Sequence, residues 1–135
     1  MRGRWLTADA DIEALPAEFV SPSGLFLIAT ENGVALGCVA LRADEPIGMA
    51  EVKRMYVRPS ARGRGVGALL LQAVLENAVT LGFSHIRLDT APELTAARTL
   101  QERFGFLEVP RYRDDPLPNS VCYGHELLRR DHVID

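Results

Sequence analysis

Three glycines at alternate positions, Gly63, Gly65 and Gly67, stand between a strand-like run and a long helical pattern, and this junction constrains the chain most. The run before them, Ala50 to Val57, alternates so that Glu51, Lys53, Met55 and Val57 fall on one face. Val52, Arg54 and Tyr56 fall on the other. After the glycines, Val66, Leu69, Leu70, Ala73, Val74, Ala78 and Leu81 recur at helical spacing, and Gly82 suits the position just past a helix end. The first turn of such a helix has N–H groups without intrahelical partners and the positive end of the helix dipole. Glycines let phosphate oxygens reach those groups with no Cβ in the way. Arg62 and Arg64 can add charge-assisted contacts. The segment reads as an anion cradle, against the plainer alternative of a solvent-facing loop with two arginines.

Two familiar phosphate loops fit less well. No Lys-Ser/Thr pair follows the glycines, so the nucleotide-triphosphate loop pattern fails. Gly63-Arg64-Gly65-Val66-Gly67-Ala68 does satisfy the Gly-x-Gly-x-x-Gly/Ala dinucleotide fingerprint. That fingerprint needs a tight turn directly after its strand, yet five residues separate Val57 from Gly63. It also expects an acidic residue about 20 positions on, whereas Asp89 lies 26 beyond Gly63. A nicotinamide domain would further need more parallel strands than a chain this short holds.

Around the junction, the chain alternates between strands and helices with short turns. Asp9 to Phe19 is expected to hold a short helix. Leu25 to Thr30 and Val34 to Arg42 read as a hairpin, because Asn32-Gly33 between them is the strongest short hairpin signal. Ala43 to Gly48 is a polar loop, and Ile86 to Asp89 a strand. Thr90-Ala91-Pro92-Glu93 has the form of a capping box opening a second helix. That helix carries Leu94, Ala97, Leu100 and Phe104 on one face and stops at Gly105. Leu107 to Val109 and Ser120 to Leu128 are expected as closing strands. The order is a meander of antiparallel strands, one strand-helix-strand unit, then a helix and final strands. It implies an α/β (α+β) fold with one mixed, mostly antiparallel sheet flanked by helices, and a single domain over residues 1–135.

Composition narrows the function by exclusion. With 15 basic and 18 acidic residues the formal net charge is −3, which argues against a nucleic-acid or membrane-surface binder. No apolar run approaches the roughly 20 residues that span a bilayer, and Met1-Arg-Gly-Arg-Trp lacks the apolar core of a signal peptide. A cytoplasmic location is expected. Cys38 and Cys122 lie far apart, each in an apolar strand-like run, and read as buried thiols. His85, His125 and His132 show no ligand spacing, so no metal is expected. Trp5 reads as a packing residue.

Two segments carry a resemblance to a known family. The run AEVKRMYVRPSARGRGVGALLLQAVLENAVTLGFSHIRLDT, from Ala50, resembles the acetyl-CoA motif of the GNAT superfamily of N-acetyltransferases. Its signature, Arg/Gln-x-x-Gly-x-Gly/Ala, is met by Arg62, Gly65 and Gly67. The segment ARTLQERFGF resembles the family's helix ending in Gly-Phe, here Gly105-Phe106. The two together cover roughly Glu51 to Phe106, in compatible order and spacing.

The resemblance implies acetyl-CoA as co-substrate, with its pyrophosphate held by backbone N–H groups of Arg62, Gly63, Arg64, Gly65, Val66, Gly67 and Ala68. It implies that backbone at Met55 and Val57 hydrogen-bonds the pantetheine arm like an added strand. The Met55 N–H would polarise the thioester carbonyl and stabilise its oxyanion. Glu51, eleven residues before Arg62, stands where some members place a general base. One is needed, because an alkyl ammonium with a pKa of about 10 must lose a proton before it attacks. The plainer reading is a solvated or salt-bridged glutamate, in the second case paired with Lys53 or Arg54.

Two departures from the family pattern bear on the proton chemistry. Many members carry a tyrosine on the second helix as general acid toward the leaving thiolate, and here Gln101 holds that place. A thiol with a pKa of about 8.5 leaves tolerably without full protonation. Water, or a tyrosine from Tyr112, Tyr56 or Tyr123, with Tyr112 the first choice, can supply the proton. An asparagine that many relatives carry is replaced by Leu94.

The implied acceptor is a primary amine of a small molecule or peptide, attacked directly in a ternary complex. The short segment before Leu25 implies an acceptor groove that is open or completed by a second subunit. Two rivals remain at this level: an acyl-CoA-binding module that has lost catalysis, and the dinucleotide-binding oxidoreductase.

Overall fold

The computed structural model describes residues 6–7, 24–111 and 119–127, the first pair by its backbone alone. The strands are β1 (Leu6–Thr7), β2 (Gly24–Glu31), β3 (Val34–Asp44), β4 (Met49–Val57), β5 (His85–Thr90), β6 (Leu107–Val109) and β7 (Val121–Glu126). The helices are α1 (Val66–Thr80), between β4 and β5, and α2 (Thr95–Arg103), between β5 and β6. The described strands form one sheet in the order β1-β2-β3-β4-β5-β7-β6. Its neighbours are antiparallel except β4 and β5, which are parallel and joined through α1. The expected mixed, mostly antiparallel sheet with flanking helices is the observed architecture. The expected helix over Asp9 to Phe19 lies outside the described residues, as do Trp5 and Tyr112.

Turn chemistry written in the sequence sets the element ends. Asn32 and Gly33 both take positive φ, 52° and 78°, the combination that twists a two-residue turn to match its strands. Both helices end in the same way. Gly82 at φ 94° lets its own N–H reach the Val79 carbonyl at 3.0 Å while the Phe83 N–H reaches Ala78 at 3.1 Å. After α2, Gly105 at φ 96° bonds Glu102 at 3.0 Å and Phe106 bonds Gln101 at 3.0 Å.

The start of α2 departs from expectation. Thr90 stays in β5, paired with Val121 of β7, so it does not cap the helix. The chain turns over Ala91 to Glu93, with the Leu94 N–H on the Ala91 carbonyl at 3.1 Å. Leu94 becomes the N-cap, makes no side-chain cap bond, and is 52% exposed rather than packed with Ala97, Leu100 and Phe104. Sheet pairing outweighs a local capping pattern worth about 1 kcal/mol.

The core lies between the helices and one face of the sheet. Leu25, Leu27, Val39, Leu41, Val52, Ile86 and Leu88 from the strands meet Val66, Leu70, Leu71, Val74 and Ala78 from α1. Leu71, outside the helical face read from the sequence, is buried, whereas Leu69 is only partly so. Phe106 and Tyr123 close the core under α2, each with none of its surface exposed. Burial of one such large apolar side chain stabilises the fold by roughly 1.5–3 kcal/mol.

Candidate functional site

The site is built where β4 changes neighbours. Along β3 and β4 the pairing runs Gly37 with Val57, Cys38 with Tyr56, then Ala40 with Lys53 and Leu41 with Val52. Two residues of β4, Arg54 and Met55, therefore oppose the single Val39 of β3. This is a bulge, and Arg54 adopts φ 56° within it.

The bulge overturns the simple alternation expected for this strand. Val52 sits in the helix-facing core, and Met55 and Val57 are on that same side. A Cβ built on Gly67 of α1 would lie 3.9 Å from Met55 Cε and 4.0 Å from Val57 Cγ2. Glu51 and Lys53 instead share the opposite face with Tyr56, because cross-strand partners project to one side. One extra residue shifts every later side chain to the other face. Glu51, Lys53, Met55 and Val57 are thus divided into two pairs, one on each side of the sheet.

On the other edge of β4, pairing with β5 covers Met49 with His85, Ala50 with Ile86 and Glu51 with Arg87, and ends there. Beyond Glu51, β4 stays with β3 while β5 stays with β7 as far as Thr90. The two central parallel strands diverge, leaving Val52 to Val57, about 20 Å of extended chain, along an opening at the middle of the sheet.

That opening leads to the glycine loop. A short 3-10 turn over Pro59–Ala61 follows β4, and Gly63 and Gly65 then take φ 78° and 83°. A Cβ on either would meet nothing within 4 Å, so the space above both is open. Gly65 is the N-cap of α1, makes no side-chain cap bond, and no acidic residue occupies the first helical turn. The N–H groups of this first turn lie at the positive pole of the helix, beside that open space. Gly67 has a different reason to be glycine: its Cβ would lie 3.3 Å from Leu100 Cδ2 of α2. Gly67 thus lets Leu100 of α2 pack closely against the first turn of α1.

The arginines are partly committed within the chain. Arg62 Nε donates to the Val57 carbonyl at 3.0 Å, and its guanidinium lies 5.9 Å from the centroid of the half-exposed Tyr56 ring. Arg64 Nη2 donates to Glu31 Oε1 at 2.6 Å, tying the loop to the β2–β3 hairpin. Arg62 therefore fastens the loop to the strand end, a role its residue type alone does not reveal.

Glu51 is wholly buried. Arg42 Nη2 donates to its Oε1 at 3.2 Å and Lys53 Nζ lies 3.5 Å from Oε2. The sequence suggested Lys53 or Arg54 as partner; Arg42, its cross-strand neighbour, was not visible in the sequence. Beside this cluster Arg87 bonds Asp44 at 3.2 Å and the Glu45 carbonyl at 2.8 Å. On the same face lies a hollow of about 610 Å³, bordered by Met49, Arg87, Leu107, Val109, Gly124 and Glu126.

Other expected residues resolve as follows. Tyr123 reaches through the core from β7 to α2, where its hydroxyl donates to Glu102 Oε2 at 2.9 Å and accepts from Arg98 Nε at 3.1 Å. That bond holds Arg98 further toward its cationic form. Gln101 is buried beneath α2. Both cysteines are free thiols; Cys122 is buried and Cys38 partly so, its Sγ donating to the Arg54 carbonyl at 3.4 Å. Among the described residues no cluster of three His, Cys, Asp or Glu side chains is placed to hold a metal ion. No helix among them is long and apolar enough to cross a membrane.

Comparison with known proteins agrees with this geometry. The chain is 42% identical over 109 residues to an uncharacterized N-acetyltransferase of Schizosaccharomyces pombe, covering 80% of this chain and 67% of that one. It is 35% identical over 99 residues to an IAA acetyltransferase of Azospirillum brasilense, covering 71% and 65%. The chain thus spans about two thirds of the length of these relatives. The crystal structure of an acetyltransferase from Streptococcus agalactiae superposes with a TM-score of 0.73 at 27% identity, covering 87% of this chain and 75% of that one. Residues 2–106 match the model of the acetyltransferase (GNAT) family. A diverging pair of parallel strands, an uncapped glycine-led helix between them and this match lead to one conclusion: the chain belongs to the GNAT acetyltransferase family.

Proposed function

We propose that the protein is an N-acetyltransferase that moves an acetyl group from acetyl-CoA to a primary amine of a small molecule or peptide, by direct attack within a ternary complex. The observation that carries this reading is the divergence of β4 from β5 after Glu51, with the uncapped, glycine-led start of α1 at the far end of the opening. An extended pantetheine arm fits along the freed edge of β4, and a pyrophosphate fits above Gly63 and Gly65, where a Cβ would meet nothing. The family membership and the named activities of the relatives support the same reading.

In this reading the backbone from Arg62 through Ala68 binds the pyrophosphate, and the backbone of Met55 and Val57 orients the arm. The Met55 N–H holds the thioester oxygen as it gains charge. The bound acetyl-CoA supplies an activated acyl group. The acceptor amine enters from the face opposite the helices, where the hollow beside Arg87 lies. Glu51, on that face, takes the ammonium proton through water, and the departing thiolate collects a proton from water or from Tyr112. The groove is open or completed by a second subunit, and a cytoplasmic site of action is part of the same proposal.

The ion pairs on Glu51 and the glutamine at position 101 favour one rival, an acyl-CoA-binding module without catalysis. Mixing the protein with acetyl-CoA and a panel of amines, and following release of free thiol, separates the two. Thiol release with at least one amine is expected. Tight acetyl-CoA binding with no release from any amine would establish the binder instead.

A further inference from the structure

We infer that Gln101 is a cofactor-positioning residue whose side-chain carbonyl accepts a hydrogen bond from the pantetheine arm, an inference that rests on the acetyl-CoA reading above. Gln101 and Glu51 are the buried polar side chains among the described residues, and Gln101 is only 7% exposed. Glu51 has ion-pair partners, whereas the buried Oε1 of Gln101 has no hydrogen-bond partner among the described residues. A buried carbonyl oxygen without a donor is costly and uncommon, so its retention asks for a donor that arrives from outside.

The geometry of α2 says where that donor comes from. Arg98 and Glu102 mark the side of α2 that looks toward β7, because both bond the Tyr123 hydroxyl. Leu100 marks the opposite side, since its Cδ2 lies 3.3 Å from the point where a Cβ of Gly67 would stand, beside Met55. Successive residues of a helix are rotated by about 100°, which turns Gln101 between these two sides and down onto the sheet. The strand between them is β5, whose edge β4 leaves open after Glu51. Gln101 therefore stands over the opening, next to the side chains that flank the cradle. The donors an arm in that opening presents are its amide N–H groups, its hydroxyl and, once the acetyl group has left, the thiol S–H. Any of these satisfies the lone carbonyl oxygen.

The test is calorimetric titration of acetyl-CoA and of CoA into the wild-type protein, Gln101→Leu and Gln101→Met, alongside thermal unfolding of each without ligand. Both variants remove the acceptor while keeping an apolar body of similar length. The ligand-free proteins should unfold no earlier than wild type, since an unsatisfied buried oxygen has been removed. Affinity should fall about tenfold, as for loss of one well-placed hydrogen bond in a buried site. Equal loss for both ligands assigns the donor to an amide N–H or the hydroxyl of the arm, and loss for CoA alone assigns it to the thiol. Affinities within about twofold of wild type, with wild type binding normally, would overturn the inference and leave the acetyl-CoA reading intact. Failure of wild type to bind either ligand would overturn both.

Discussion

Arg42 Nη2 stands 3.2 Å from Oε1 of Glu51, its cross-strand partner, and completes with Lys53 an ion-pair cluster around a carboxylate that has no exposed surface. The group proposed as proton acceptor is thus also part of the fold's electrostatic frame. Removing a buried partner leaves charges uncompensated, while its attraction to two cations offsets the cost of burying it.

Glu51→Gln should accordingly act twice. Stability should fall by about 1–3 kcal/mol, the scale of a buried charged hydrogen bond lost with its shape kept, read by denaturant unfolding. Turnover should fall more at neutral than at alkaline pH, because a free amine needs no base. A ratio of variant to wild-type rates that stays flat across pH would remove Glu51 from the proton path and leave it a structural residue.

Gly65 combines a left-handed backbone with open space above it. Asn and Asp both tolerate that backbone better than other side chains do, so Gly65→Asn and Gly65→Asp should be similarly stable. Asp places a carboxylate against the phosphates and should abolish CoA binding, with Asn retaining at least about tenfold more affinity. Undiminished affinity in the Asp variant would discard the cradle assignment.

Gly82 and Gly105 end their helices with nearly equal φ, 94° and 96°, but in different surroundings. A Cβ on Gly82 meets nothing within 4 Å, whereas on Gly105 it would stand 2.7 Å from His125 Nε2. Gly82→Ala should cost about 1–2 kcal/mol from backbone strain alone. Gly105→Ala should cost a further 1–3 kcal/mol, roughly, for displacing the imidazole, which stacks edge-on against Phe106. Equal losses on denaturant unfolding would show that the ring moves freely.

Burial raises the Cys38 thiol above its ordinary value of 9.0, with Arg54 pulling weakly the other way. A folded-state value above the unfolded one means that the folded protein keeps this proton longer. The contribution to stability is present below the unfolded value and fades as pH rises through the folded one. Stability should therefore decline as pH rises past the ordinary thiol value of 9.0, and Cys38→Ser should flatten that decline. The alkylation rate of Cys38 should rise at higher pH than that of a free thiol. A Cys38→Ser pH profile that overlays wild type would count against the burial effect.

Local chemistry was readable wherever one or two residues decide the backbone. Asn32-Gly33, Gly82 and Gly105 need positive φ, and Gly63 and Gly65 provide it in the loop; each is found so in the structure. The helical face of α1 was readable because its core packing repeats every turn, apart from Leu71. The Thr90 to Glu93 cap failed because a competing partner, β7, lies some thirty residues further along the chain and outweighs it. Gln101 could be named from the sequence as a departure, but its unpartnered oxygen belongs to its surroundings.

The sequence by itself determined the turns, the C-terminal ends of both helices and the left-handed backbone at Gly63 and Gly65, since each depends on conformational freedom within a few residues. Only the tertiary structure decided that Met55 and Val57 face the helices while Glu51 and Lys53 face the other way. No glycine or proline marks the bulge; it lies at Arg54, where two residues of β4 must be accommodated against Val39 of β3. The same long-range pairing chose Arg42 for Glu51 and parted β4 from β5. The glycine loop was a matter of local backbone, whereas the opening that leads to it came from the register of strands distant in sequence.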